Sequence, residues 1–322
     1  MNLPGTATKA AKIDRLAELS VSSSDVRGRS LWLEAFSRLR RSPMAIVGAV
    51  IVSAFVIVAV AAPLLAPHDP TAQLWRGDVF PNRSIFVGPR AENPLGLDHA
   101  GRDLLSRMLV GARQSLMVGV VATLIGLSVG ALIGGVSGAA AGMGRRLGRA
   151  VDSVLMRFVD MLLSIPALLI AISVAALLGP SLTTLMIAVG AAQVPIFARL
   201  LRGSMLAQSR SDFVTASIAL GVRRPKVVVS HVLPNSLGPV LVQGTLTLAT
   251  AIIEAAALSY LGLGSPDISR PEWGGMLADA QRFLGSAPHM ALFPAVAIII
   301  TALGFTLLGE AMREALDPKL KK

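Results

Sequence analysis

Residues 115–141 read SLMVGVVATLIGLSVGALIGGVSGAAA, 27 residues without a charge, followed by Arg145 and Arg146. About 20 uncharged, mostly apolar residues are enough to carry an α-helix across the ~30 Å hydrocarbon layer of a bilayer. This stretch decides the class: an all-α membrane protein. Glycines stand at Gly126, Gly130, Gly134, Gly138 and Gly142, one every fourth residue. On a helix that spacing makes a groove down one face, where a second helix backbone can settle closely.

Working outward, 44–66 is a second uncharged stretch, between Arg40-Arg41 and Pro67-His68-Asp69. Between Asp160 and Arg199 lie 38 uncharged residues, ~57 Å of helix and too long for one crossing. Gly179-Pro180 divides them, so two helices are predicted, 158–178 and 182–201. Further spans are predicted over 237–262 and 290–309. Six crossings put both termini on one side. Of the 30 Lys and Arg, 22 fall in segments 1–43, 142–157, 199–235 and 311–322, and the excess of basic residues in cytosolic loops places both termini in the cytosol.

Composition agrees. The chain of 322 residues is 53% apolar and 15% charged, with 30 glycines and a mean hydropathy of +0.66, which excludes a disordered chain and argues against a water-soluble globule. The absence of cysteine removes disulfides, thiolate zinc, a Cys nucleophile and iron–sulfur clusters. With four scattered histidines, no metal site is expected. The net charge of +11 fits loops lying against anionic lipid. A single Tyr and three Trp give no aromatic interleaving for nucleic acid.

The organisation that follows is a cytosolic tail over 1–43, a first span over 44–66, an extracytoplasmic segment over 67–113, and a core over 114–322 with five spans and a cytosolic loop. Residues 1–28 read as disordered. Leu31 to Arg41 reads as an amphipathic helix on the membrane surface, with Trp32, Phe36 and Leu39 on one stripe. With eight basic side chains and no apolar core, the tail is not expected to be a signal peptide. In the extracytoplasmic segment, the part before Pro94, with Trp75, Phe80 and Phe86, is expected to contact a partner chain. From Leu104 a helix lying along the outer membrane face is expected, with Leu105, Met108 and Leu109 on the same side.

Catalytic motifs fail on context. Gly126-Leu127-Ser128-Val129-Gly130 matches the hydrolase elbow G-x-S-x-G, but that motif needs a strand and a sharp turn, and here the serine is mid-helix. None of the six lysines follows a glycine, so there is no P-loop. No catalytic residue is assigned. Of the acids near spans, Asp160 and Glu310 lie at cytosolic edges, whereas Glu254 sits inside the fifth span, where a charge is costly. Two readings stand for it: a hydrogen bond to a neighbouring helix, or a place on a polar substrate path.

The loop 202–235 is predicted as two short helices. Asp212 caps the first, Phe213, Ala216, Ser217 and Leu220 share a small-to-apolar face, and Gly221 stops it beside Arg223 and Arg224. Pro225 starts the second helix and Pro234 ends it. An exposed helix of this kind suits a partner's groove.

Thr215-Ala216-Ser217, Gly221 and Leu233-Pro234 have the spacing of the Glu-Ala-Ala-x3-Gly-x9-Ile-x-Leu-Pro loop of ABC-importer permeases, with Thr215, Ser217 and His231 as departures. The literal Glu254-Ala255-Ala256 lies in a span and lacks the following glycine. Asn93 to Asp103, Ser106-Arg107, Gly111-Ala112-Arg113, Leu258 to Gly264, Trp273-Gly274 and Leu316-Asp317-Pro318 also resemble the C-type permease subunit of dipeptide, oligopeptide and nickel importers, over residues 35–320. The resemblance implies the type I ABC importer permease fold in a bacterial inner membrane. It implies a heterodimer with a homologous permease, two cytosolic ATPases holding ATP and Mg, and an extracytoplasmic binding protein. This chain would bind no cofactor itself. Its function would be di- or oligopeptide import, with nickel chelates, glutathione or another small polar solute as alternatives. A membrane enzyme or sensor is the rival from another class.

Overall fold

The computed structural model describes residues 36–79, 88–143, 146–267 and 269–316. The expectations for residues 1–35, for Phe80 and Phe86, and for Asp317-Pro318 lie outside these. Apart from an isolated bridge between Leu97 and Asp103, the regular structure among the described residues is helical. Helix α1 is Pro43–Leu65, with Ser42 accepting the Ala45 N–H at 3.3 Å as its cap. Helix α2 is Leu104–Gly142, α3 Arg146–Leu163, α4 Ala167–Leu178 and α5 Leu182–Gln208. Helix α6 is Asp212–Ala219, α7 runs Arg224–Leu263, α8 is Trp273–Ala280 and α9 is His289–Leu316.

Helices α1, α2, α5, α7 and α9 are each long and apolar enough to cross a membrane, and α3 and α4 reach that length and hydropathy only when their two bent parts are taken together. Three expectations are corrected. The helix from Leu104 is not a separate element: it is the first part of the 39-residue α2. Within it Arg107 is buried against Asp98 at 3.3 Å and the Pro70 carbonyl at 3.2 Å. The predicted helix 158–178 is two helices bent by 91°. Pro166 has no N–H to give and forces Ile165 out of helical geometry. Pro234 does not end a helix, and the fifth span does not begin at 237. Helix α7 passes through Pro234 by a π-turn over Val228–Val232, in which the Leu233 N–H reaches the Val228 carbonyl five residues back. The wider turn absorbs the bond that Pro234 cannot make.

The centre is the crossing of α2 on α5. A Cβ at Gly130 would stand 2.6 Å from the Val194 carbonyl oxygen, and one at Gly134 would fall on the Ala198 carbonyl. At Gly126 and Gly138 the close neighbours are Gln193 and Met205, at 2.8 and 2.9 Å. Only Gly142, at 3.6 Å from Ser209 Oγ, has room. Helices α1 and α9 cross as tightly, Gly48 against the Leu308 nitrogen and Gly304 against Ile51. At the far end Trp273, 1% exposed, packs edge-on to Phe55 at 5.7 Å.

Candidate functional site

Helix α6 hangs between α5 and α7 at one end of the bundle. Ser211 is its cap residue, and Asp212, expected there, is instead its first helical residue. Its C-terminus closes as a Schellman motif: the Val222 N–H bonds the Ser217 carbonyl at 3.1 Å and the Gly221 N–H the Ile218 carbonyl at 2.9 Å. Gly221 has φ of 84°, which glycine adopts without strain. Only Val214 of α6 is buried. It joins Phe197, Leu201, Met205, Val227, Val228 and Val232 in one apolar cluster, so the foot of the helix is anchored on α5 and α7. Phe213, Thr215, Ala216 and Leu220 are exposed, Leu220 at 85%, and Ser217 is half-buried. Arg223, Arg224 and Pro225 are exposed where α7 begins. Leu233 and Pro234 lie further along α7, Leu233 packed on the same cluster and Pro234 exposed. The result is a small-to-apolar face that the described residues leave uncovered.

The elements that hold α6 are clamped by charge. Arg202 on α5 gives Asp152 on α3 two hydrogen bonds, at 2.7 and 2.8 Å, and Ser137 on α2 donates to the same carboxylate. Arg199 pairs with Asp160 one turn away. Paired geometry of this kind is what makes a charge tolerable at the edge of an apolar layer. None of these partners was legible as a pair in the sequence, because 50 residues separate Asp152 from Arg202.

At the opposite end, residues 93–107 form a polar knot. Asp103 caps α2 by accepting the Ser106 N–H at 2.8 Å and also accepts Asn93 Nδ2 at 2.9 Å. Asp98 accepts the Arg102 N–H at 2.9 Å and pairs with the side chains of Arg102 and Arg107. Trp75 packs edge-on to His68 at 4.8 Å, and its backbone N–H bonds the Gly101 carbonyl. Trp273 Nε1 donates to the Met108 carbonyl at 3.1 Å, joining the knot to α8. Beside it, burial pushes the Glu272 carboxyl above the ordinary carboxylate range, partly offset by the nearby Ser259 hydroxyl and by the Ser265 N–H, which it accepts at 3.4 Å.

Glu254 lies on α7, half-buried, with Oε2 enclosed and no hydrogen-bond partner among the described residues. Gln243, Thr247 and Thr250 precede it at helical spacing, and Gln243 Nε2 donates to Thr247 at 3.2 Å. Ile253 beside it is 50% exposed, so this polar row borders an open face. Among the described residues no group of His, Asp and Glu could hold a metal ion.

The sequence reading missed the elbow between α3 and α4. Ser164-Ile165-Pro166 was its signal: a proline within a run otherwise read as one helix.

The family described as binding-protein-dependent transport system inner membrane component matches residues 130–322, and the N-terminal TM domain of oligopeptide transport permease C matches 30–83. The dipeptide transport system permease protein DppC of Alkalihalophilus pseudofirmus is 41% identical over 91% of both chains. The glutathione transport system permease protein GsiD is 39% identical in Escherichia coli and 42% in Salmonella typhimurium, each over 91% of this chain and 92% of the relative. Among solved structures, an inward-facing MetNI methionine ABC transporter chain aligns with a TM-score of 0.52 at 18% identity, covering 66% of this chain and 96% of that one. At that identity the likeness speaks to the fold.

Proposed function

This chain belongs to the binding-protein-dependent transport inner membrane components, as a permease of an ABC importer that crosses the bacterial inner membrane several times, and on that premise we propose that it imports di- or oligopeptides. The relative named for dipeptide transport supports that cargo. The relatives named for glutathione, itself a small peptide, support the same chemistry and keep glutathione as the second reading. The chain acts without catalysis or a cofactor of its own. A homologous permease completes the pathway, two ATPase subunits supply ATP and Mg chemistry, and a binding protein delivers the cargo to the Asp98 end. The termini and α6 face the cytosol.

The observation that carries the coupling role is the uncovered face of α6. Phe213, Ala216 and Leu220 stand open on a helix anchored only through Val214, with its end fixed by Gly221 and flanked by Arg223 and Arg224. A helix held at its foot and bare on its far side suits the groove of an ATPase. Motion of that ATPase would pass through Val214 to α5 and α7, and the Asp152–Arg202 clamp would carry it to α2 and α3. The segment before Pro94 would meet the partner permease or the docked binding protein. Glu254, without a partner among the described residues, would lie on the substrate path.

The test is Ala216→Asp. Position 216 is exposed, so the variant should fold and insert normally. In the complex it would bury an unpaired charge, worth several kcal/mol against docking. The ATPase should fail to co-purify and peptide uptake should fall. Normal uptake together with normal ATPase retention would remove α6 from the coupling role.

A further inference from the structure

The elbow between α3 and α4 breaks the helix one turn beyond the Asp160–Arg199 pair, where the chain turns into the apolar α4. Its residues pack beside Ala192, Pro195 and Ile196 of α5. Pro195 is thirteen residues into α5, ~20 Å from its start, and the first charge on that helix, Arg199, comes one turn later. The elbow therefore lies within the apolar length of the bundle. The carbonyls of Leu163, Ser164 and Ile165 accept no hydrogen bond from the described residues. Pro195 removes the donor that would have met the Ala191 carbonyl. Ser164, Ile165 and Pro166 are all exposed on this chain, beside a cleft of about 320 Å³.

Unpaired carbonyls cannot face lipid, where each costs several kcal/mol; non-helical backbone at this depth stands only against protein or water. The described residues do not cover them. The geometry points to the elbow Leu163–Pro166 as a backbone-carbonyl subsite of the translocation path, taking ammonium and amide N–H donors of the passing solute. The carbonyls also end the 18-residue α3, so they carry the negative end of its dipole and favour a cation over an anion. The other lining side chains are apolar except Ser164, whose hydroxyl donates to the Met161 carbonyl. The donors would come from the free amino terminus and amides of a peptide; this assignment of the solute rests on the peptide-permease reading, whereas the water-lined, cation-preferring elbow does not.

Because the chain has no cysteine, Ser164→Cys and Ile165→Cys can be labelled in the assembled complex against a clean background. Ile57→Cys and Ile299→Cys, on other exposed faces of the spans, serve as lipid-facing controls. The probes are a cationic and an anionic methanethiosulfonate of similar size, neither of which crosses membranes, applied to vesicles of both orientations. Both elbow positions should react about tenfold faster than the controls, as water-lined sites must. Normalised to a free thiol, the cationic reagent should be favoured about three- to fivefold. Elbow cysteines no more reactive than the controls, at rest and during ATP-driven turnover, would show that the partner permease seals this cleft and would overturn the proposal. Equal rates for the two reagents would overturn the carbonyl recognition. Uptake of a labelled dipeptide by the unmodified complex is measured separately; its failure would overturn the peptide cargo and leave the labelling result standing.

Discussion

At the residue scale, the glycines of α2 are ranked by what a methyl group would strike. Gly134 meets the Ala198 carbonyl and Gly130 the Val194 carbonyl; backbone cannot swing aside as a side chain can. Gly134→Ala should lower the melting temperature of the purified complex, through an overpacking cost of about 1–3 kcal/mol. Gly135→Ala, whose Cβ would sit 3.7 Å from Leu201, and Gly142→Ala should leave it unchanged. A uniform response along the row would mean that the crossing is not made by these glycines. Glu272 gives a pH test. Its carboxyl is raised above the ordinary range by burial, so the folded protein holds its proton more tightly than the unfolded chain does. The stability this gives is complete below the ordinary carboxylate range and is lost as pH rises through the raised value. Thermal melts of the complex should become less pH-dependent across that window in Glu272→Gln, and an unaltered slope would assign the dependence elsewhere.

At the element scale, α3 has three sides. Gly148, Asp152, Met156 and Val159 face the protein; Leu147, Val151, Val154, Phe158 and Met161 form an exposed apolar stripe; Arg146, Arg149 and Arg157 stand out from the remaining side. One buried carboxylate, Asp152, fixes this helix to α2 and α5. Asp152→Asn should leave Arg202 facing an uncharged partner, at a cost of about 2 kcal/mol after allowance for its partial exposure. Limited proteolysis after Arg149 or Arg157 should then speed up. The exchanged pair Asp152→Arg with Arg202→Asp should recover part of the loss; no recovery would mean that geometry rather than charge holds the joint. The helix signals in sequence were read well where they were local: Gly221 as a stop, Pro225 as a start, Gly179-Pro180 as a turn. They misled at Pro166 and Pro234. The two prolines look alike in sequence, yet one breaks a helix and the other is carried through a π-turn, according to what packs around each.

At the scale of the whole molecule, six crossings and the distribution of arginine and lysine predict that both ends of the chain lie in the cytosol. Tags at the two termini should both resist protease added to intact cells and become accessible after permeabilisation. Cleavage of either one in intact cells would overturn the topology. What the sequence by itself determined is the membrane class, five of the spans, the glycine groove and the spacing of the exposed loop. All of these are written within stretches shorter than one span, as hydropathy, period and punctuation. Only the tertiary structure decided which helix fills the groove, that Arg107 and Arg202 are matched by Asp98 and Asp152, that Glu254 has no partner among the described residues, and that α3 and α4 meet in an elbow with bare carbonyls. Each of these depends on pairing between residues far apart in the chain or on which face of a helix stays uncovered, and neither is fixed until the helices pack.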